Sequence, residues 1–236
     1  MINKIRHNEE LFIRLFSEEK TFSENLIKWE DKLLPDKYDQ NFFEYLSQPT
    51  KEEFDKALKY QKDIGANFIK LEGREPLDNS FNLEDSVTLT MVLESDKTNW
   101  TINPDITFKK PSIEELEELE VKHFASIYGE DFTRRNIHHQ YKKLNYLGAY
   151  LDKKLVGACY SFSKDGLTCI DGLIVDEGYR RKYIATSLIN HIKDINPGTT
   201  LYLHADEDDT PKDMYKKMGF DVVDKLYEYL STDIMK

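Results

Sequence analysis

The run Leu173-Ile174-Val175-Asp176-Glu177-Gly178-Tyr179-Arg180-Arg181-Lys182-Tyr183-Ile184-Ala185-Thr186-Ser187-Leu188-Ile189 concentrates the residue types best suited to hold an anion. A hydrophobic strand ends at Val175 and a short loop with three consecutive cations follows. Ile184, Leu188, Ile189 and Ile192 then recur at helical spacing. The first N–H groups of a helix lack intrahelical partners and carry the positive end of its dipole, so strand, basic turn and helix start together make an anion site. Taken alone, Arg180, Arg181 and Lys182 could be three solvated charges. Cations at a helix start oppose the dipole, however, at about 0.3–1 kcal/mol where partly exposed, and three in a row favour an anionic ligand.

The rest of the chain sharpens the contrast, because the formal net charge is −11 over 236 residues. Such a field repels nucleic acid and anionic lipid and favours cationic substrates, amines among them. A charged fraction of 33% and a hydrophobic fraction of 39% suit a soluble globular protein. No apolar run approaches the roughly 20 residues that span a bilayer. The start, Met1 to Asn8, turns polar before a signal sequence could develop, so a cytoplasmic protein without a membrane partner is expected. The two cysteines, Cys159 and Cys169, are too few for a disulfide framework or a zinc site and read as small apolar core residues in strands. His138, His139 and His204 lack metal-ligand spacing, and no metal is expected.

The elements that must position the basic loop follow a readable order. Up to about Asp96 the pattern is helix, strand, helix, strand, strand. Leu11, Phe12, Leu15 and Phe16 mark the first helix, and Tyr38 to Leu46 reads as a strand. Thr50 caps a helix that buries Phe54, Ala57 and Leu58 and stops at Gly65. Ala66 to Leu71 and Val87 to Leu93 read as strands. The polar stretch Ser95 to Asn99 is the boundary expected between an N-terminal α/β lobe, 1–97, and a second domain, 98–236. Beyond it come a strand at Ile106 and Phe108, an acidic helix opened by Pro111-Ser112-Ile113-Glu114-Glu115, and a helix over Thr133 to Leu144. A meander follows: Tyr146 to Leu151, Leu155 to Phe162, and Leu167 to Val175, with turns at Asp152-Lys153-Lys154 and Lys164-Asp165-Gly166. The helix from Ile184, a strand at Thr200 to His204, a helix from Pro211 to Met218 and two final β-like segments close the chain. The fold class expected is a mixed α/β sandwich.

The strand-loop-helix resembles the acetyl-CoA motif of the GNAT-type N-acyltransferases, Gln/Arg-x-x-Gly-x-Gly/Ala. Arg180 fills its first position and Ala185 its last, and Tyr183 stands at the middle Gly. Downstream, Leu201 to Ala205 resembles that family's next strand. Asp208 to Phe220 resembles its Asn-x-x-Ala-x-x-Leu-Tyr-x-x-x-Gly-Phe helix, matched at Tyr215, Gly219 and Phe220. Asp208 replaces the Asn, Pro211 the Ala and Met214 the Leu. The two motifs cover about the last 65 residues closely, and the order of elements extends the likeness to Ile106. The first half carries no second copy of the motif; by resemblance to tandem members it could be a degenerate acyltransferase lobe.

The resemblance implies an N-acetyltransferase in which an amine attacks the thioester of acetyl-CoA directly. The ligand's pyrophosphate would lie on Arg180, Arg181, Lys182, Tyr183, Ile184, Ala185 and Thr186, and its pantetheine arm along the main chains of Leu173 and Val175, near Asp208. The Val175 N–H would polarise the carbonyl, and Tyr215 would protonate the leaving thiolate. Asp171 shares a strand face with Cys169, Leu173 and Val175, and a carboxylate among apolar side chains is a stronger base. It could equally be structural. The acceptor expected is a small-molecule or peptide amine, and a homodimer is an admissible assembly. The competing reading is a non-catalytic acyl-CoA sensor, with Tyr183 and Asp208 as signs of a degenerate site.

Overall fold

The structure, a computed structural model, describes residues 1–93, 100–209 and 211–235. The division expected at 97/98, with its linker at Ser95 to Asn99, lies outside the described residues. Two compact units form: the first from residues 1–90, 205–212 and 222–236, the second from 91–204 and 213–221.

The first unit opens with α1 (Ile2–Ile13), then β1 (Glu18–Thr21), β2 (Leu26–Glu30), a 3-10 turn (Tyr38–Gln40), β3 (Phe43–Tyr45), α2 (Lys51–Asp63) and β4 (Phe68–Gly73). β1, β2 and β3 form an antiparallel meander, and α2 carries the chain across to β4, which runs parallel to β3. A hairpin of two strands thus stands where sequence patterning shows none. β1, Glu-Glu-Lys-Thr, is exposed along its length and has no apolar alternation, and Lys28 interrupts the apolar run of β2 although it is buried. Tyr38 to Leu46 shortens to the turn and a three-residue strand. Leu26, Phe43, Ile69 and Leu71 pack with Phe54 and Ala57 of α2. The polar start of α2 is closed by a capping box: Thr50 accepts from the Glu53 N–H, and the Glu53 carboxylate accepts from the Thr50 N–H.

β5 (Glu84–Leu93) leads to the second unit, which continues with β6 (Thr107–Lys109), α3 (Ile113–Tyr128), α4 (Glu130–Tyr141), β7 (Asn145–Leu151), β8 (Lys154–Lys164), β9 (Leu167–Val175) and α5 (Ile184–Ile195). β10 (Thr200–Asp206), α6 (Pro211–Lys217) and β11 (Phe220–Thr232) follow. β6 to β9 pair antiparallel in sequence, and α5 carries the chain to β10, parallel to β9. Both hairpin turns take the positive φ that two-residue loops require, at Asp152 and Lys153 and at Asp165 and Gly166. Cys159 and Cys169 are free and buried in β8 and β9. Burial, with Asp171 nearby, pushes the Cys159 thiol up to about 12.

The two β-like segments expected at the end are one continuous strand, β11, antiparallel to β4 over Tyr227 to Thr232. Its middle carries the charged residues Asp224 and Lys225. Asp224 pairs there with Arg6 at 2.7 Å, and Lys225 with Glu207 at 2.8 Å. No helix of the described residues is long and apolar enough to cross a membrane.

Glu53 does more than cap α2. It also accepts from Ser23 Oγ at 2.6 Å and from the Asn25 main-chain and side-chain nitrogens at 3.1 and 3.0 Å. The Ser23 hydrogen bond, then that from the Thr50 N–H, lead the effects that hold its carboxyl at about 2. A carboxyl lowered in the folded state stabilises fully above its unfolded value and loses that contribution as pH falls toward the folded value. Glu53→Gln should therefore lower the urea midpoint at neutral pH, and the gap from the parent should narrow between about pH 5 and about pH 3. A gap that stays constant with pH would show that the Glu53 charge does not contribute.

Candidate functional site

The site grows from a defect in β9. Tyr160 of β8 opposes Asp171, whereas Ala158 opposes Ile174, so Gly172 and Leu173 together face Cys159. This is a β-bulge, one extra residue on one strand. Gly172 permits it twice over: its φ is +60°, and a Cβ there would lie 2.5 Å from Cε1 of the Tyr160 ring.

The bulge corrects the face assigned to Asp171. Residues opposed across antiparallel strands share a face. Cys169, Asp171 and Ile174 therefore lie with Phe162, Tyr160 and Ala158, while Val175 lies with Gly157 on the other face. The expected grouping of Asp171 with Leu173 and Val175 fails because strict alternation does not survive an inserted residue. Gly172 was the available signal, since glycine inside a strand marks bulges. Asp171 accepts from the Tyr160 hydroxyl at 2.9 Å and from the Gly172 N–H at 2.6 Å. Burial, then the Asp171 charge, raise the Tyr160 hydroxyl well above its ordinary value. Tyr160 also meets Tyr146 edge-on, and Tyr146 stacks on Tyr141 of α4, which places Asp171 on the α4 side of the sheet.

The opposite edge of β9 is left open. Its pairing with β10 runs only from Leu167/Thr200 to Ile170/Leu203, although β9 continues to Val175. The Asp176 N–H donates to Val156 O at 3.0 Å. Amides alternate sides along a strand, so the Val175 N–H points away from β8 toward the edge that β10 has left. An extended ligand could pair there.

From Val175 the chain enters the basic loop. Asp176 is buried and fixes it: its carboxylate takes Lys122 Nζ at 2.9 Å and the Gly178 N–H at 3.1 Å, with Lys154 Nζ at 3.7 Å. The Lys122 hydrogen bond leads the effects that lower the Asp176 carboxyl. Lys154 and Lys182 lie 4.9 and 4.8 Å from the centre of the Tyr179 ring. Arg180, Arg181 and Lys182 are exposed, and Arg180 lies 3.6 Å from Glu177. Burial, then the Arg180 charge, hold the His123 imidazole of α3 below its usual value.

Tyr183, at the glycine position of the motif, is the N-cap of α5 with φ 59° and ψ 22°, a left-handed conformation, and it supplies no side-chain cap. The first N–H groups of α5 thus remain for an outside acceptor. Sequence reasoning missed what holds this conformation. Ser187 donates from N and Oγ to Tyr183 O at 3.0 and 2.8 Å, and Asn103 Nδ2 donates to Lys182 O at 3.1 Å. Gly157 lets α5 approach β8 closely, since a Cβ there would stand 2.9 Å from Ile184 Cγ2.

Leu173, Val175 and Arg180 to Thr186 therefore lie on one strand-loop-helix path, with a helix start that has no side-chain cap beyond an unpaired strand edge. Tyr215 is buried on α6, its ring edge-on to Phe220 at 6.0 Å. Asp208 is exposed and belongs to the first unit, where its N–H donates to Asp206 Oδ1 at 2.8 Å.

Residues 113–220 match the model of the acetyltransferase (GNAT) family. No curated protein matches the chain. Among solved structures, a conserved protein of unknown function from Staphylococcus epidermidis is similar over 92% of this chain and 94% of its own, at 20% identity and a TM-score of 0.81. A GCN5-related N-acetyltransferase from Kribbella flavida is similar over 97% and 94%, at 13% identity and a TM-score of 0.63. A tandem GNAT protein from the clavulanic acid biosynthesis pathway is similar over 88% and 78%, at 12% identity and a TM-score of 0.56. At these identities the likeness is one of fold, and the tandem protein fits a two-lobed chain. In residues 113–220 this chain carries an acetyltransferase domain of the GNAT family, the acyl-CoA-dependent acyltransferases.

Proposed function

We propose that the chain is an N-acetyltransferase that moves the acetyl group of acetyl-CoA, a substrate, to a primary amine on a small molecule or peptide. The observation that carries this reading is the parting of β10 from β9 after Ile170, which leaves the Val175 amide facing an open edge that leads to the uncapped, cationic start of α5. Arg180, Arg181, Lys182 and the first amides of α5 hold the pyrophosphate. Leu173 and Val175 align the pantetheine arm by main-chain hydrogen bonds, and the Val175 N–H stabilises charge developing on the carbonyl oxygen. The amine nitrogen attacks the carbonyl carbon, a C–N bond forms and the C–S bond breaks. Tyr215 gives its hydroxyl proton to the departing sulfur. The surplus proton on the amine passes to water, since Asp171 lies on the other face of the sheet from Val175. Tyr183 does not favour the sensor reading, because its backbone adopts a left-handed conformation that glycine takes readily.

Acetyl-CoA at ~100 times its Kd should stabilise the protein by ~2.7 kcal/mol, read as a raised melting temperature. Arg181→Glu should weaken binding about 3- to 30-fold, since reversing a charge at a helix start swings ~0.6–2 kcal/mol. No thermal shift at millimolar acetyl-CoA would overturn the proposal.

Tyr183→Gly relieves a left-handed tyrosine at a net gain of about 1 kcal/mol or less, after the entropy that glycine costs. A higher melting temperature and equal or tighter acetyl-CoA binding are expected. Weaker binding would mean that the tyrosine ring itself contacts the ligand.

Tyr215→Phe removes only a hydroxyl. Loss of general-acid assistance lowers kcat by ~10²–10⁴-fold while acetyl-CoA affinity holds. Nearly full kcat would make Tyr215 a packing residue, and a joint loss of kcat and affinity would make it a ligand-holding one.

A further inference from the structure

A cavity of about 900 Å³ opens in the first unit between α1 and the face of β2, β3 and β4, lined among others by Trp29, Phe42, Glu44, Glu72, Leu77 and Leu226. Its volume suits a small organic ligand, for which pockets run from about 300 to 1,000 Å³. Nothing in acyl transfer by the second unit uses it.

Its charges do not balance. The arginines around it are already engaged: Arg6 with Asp224 at 2.7 Å, Arg14 with Glu10 at 2.8 Å and with Glu19, and Arg74 with Glu9 and with Asp224 at 3.4 Å. Glu44 and Glu72 remain, side by side on adjacent parallel strands and on one face. Glu72 is 8% exposed, and its Oε2 is 3.1 Å from Lys70 Nζ. Lys70 is shared, because Asp39 and Glu228 lie 3.0 and 2.6 Å from the same nitrogen. Glu44 Oε2 accepts from Trp29 Nε1 at 2.9 Å. Each of the two carboxylates thus spends one oxygen on the protein, and like charges set opposite each other are destabilising unless a cation comes between them. Burial, against the pull of Lys70, pushes the Glu72 carboxyl up to about 7.

We propose that this cavity binds an organic ammonium ion, with Glu44 and Glu72 as its counter-charge and Trp29, Phe42 and Leu77 against its carbon skeleton. Two carboxylates among aromatic and aliphatic walls suit an alkylammonium better than a metal ion, which takes six or more oxygens or a tetrahedral nitrogen and sulfur set. The site lies in the first unit and needs no acetyl-CoA, so it stands or falls apart from the acyl-transfer reading.

Trp29 makes binding readable through its hydrogen bond to Glu44. The chain has two tryptophans, so Trp100→Phe leaves Trp29 as the sole indole reporter. Without acetyl-CoA, 2-phenylethylamine should give a saturable change in Trp29 emission, and the uncharged 2-phenylethanol should bind at least about tenfold more weakly, a difference of about 1.4 kcal/mol. Glu44→Gln keeps an acceptor for the indole and should weaken amine binding by a similar factor without lowering the melting temperature appreciably. Calorimetry on the unaltered chain and on Glu44→Gln repeats the comparison should Trp100→Phe fold poorly. Equal binding of the alcohol, undiminished amine binding by Glu44→Gln, or no saturable signal would each overturn the proposal.

Discussion

The ring of Tyr160 against the α-carbon of Gly172 is the contact on which the second unit's site depends. No side chain fits at residue 172, and its positive φ would cost any other L-residue roughly 1–2 kcal/mol. The bulge that results reverses the parity of β9 for its last two residues. Val175 turns to the face where α5 packs, its amide turns to the edge that β10 leaves, and Asp171 stays behind beside Tyr160. A regular strand would have put Asp171 and Val175 on one face. The bulge separates the carboxylate from the open main chain and gives each its own side of the sheet.

The two units repeat one path, an antiparallel meander, a crossover helix and a parallel strand, and differ at the start of that helix. In α2 the helix start is closed by Thr50 and Glu53, and Glu52 adds a second negative charge in the first turn. In α5 the N-cap offers no side chain, and three cations precede it. The same backbone geometry is thus set against anions in one unit and toward them in the other. The strand ends of the first unit are also tied. The Tyr45 hydroxyl donates to Glu75 O at 2.6 Å, and the Asp78 N–H donates to Gln48 Oε1 at 2.9 Å.

Elements whose signals are local were legible in the sequence. The cap at Thr50, the acidic helix start after Pro111, the hairpin turns around Asp152-Lys153 and Asp165-Gly166, and the apolar stripe of α5 all carry their cause within a few residues. What escaped depends on partners distant in the chain. β1 is a strand because β2 lies beside it, not because of its own four polar residues. The charged middle of β11 is tolerated because Arg6 and Arg74 reach Asp224 from residues more than 140 positions away. At the candidate site the cationic loop and the helix after it were readable, but the face of Asp171 was not, because Gly172 had to be taken as a bulge before alternation could be applied.

Tyr183 shows why a motif can lose its glycine and keep its geometry. What the backbone needs at that position is a left-handed conformation, which glycine gives at no steric cost and other residues adopt only under constraint. Here the constraint is visible. Ser187 fixes the Tyr183 carbonyl from the first turn of α5, and Asn103 holds the preceding carbonyl from a separate segment. Asn103 is itself fixed, because its N–H donates to Ser187 Oγ at 2.9 Å. The tyrosine side chain, 53% exposed, meets solvent and not the sheet, so the penalty stays local to the backbone. A helix start fixed by these hydrogen bonds keeps its free amides aimed outward whichever residue occupies the cap.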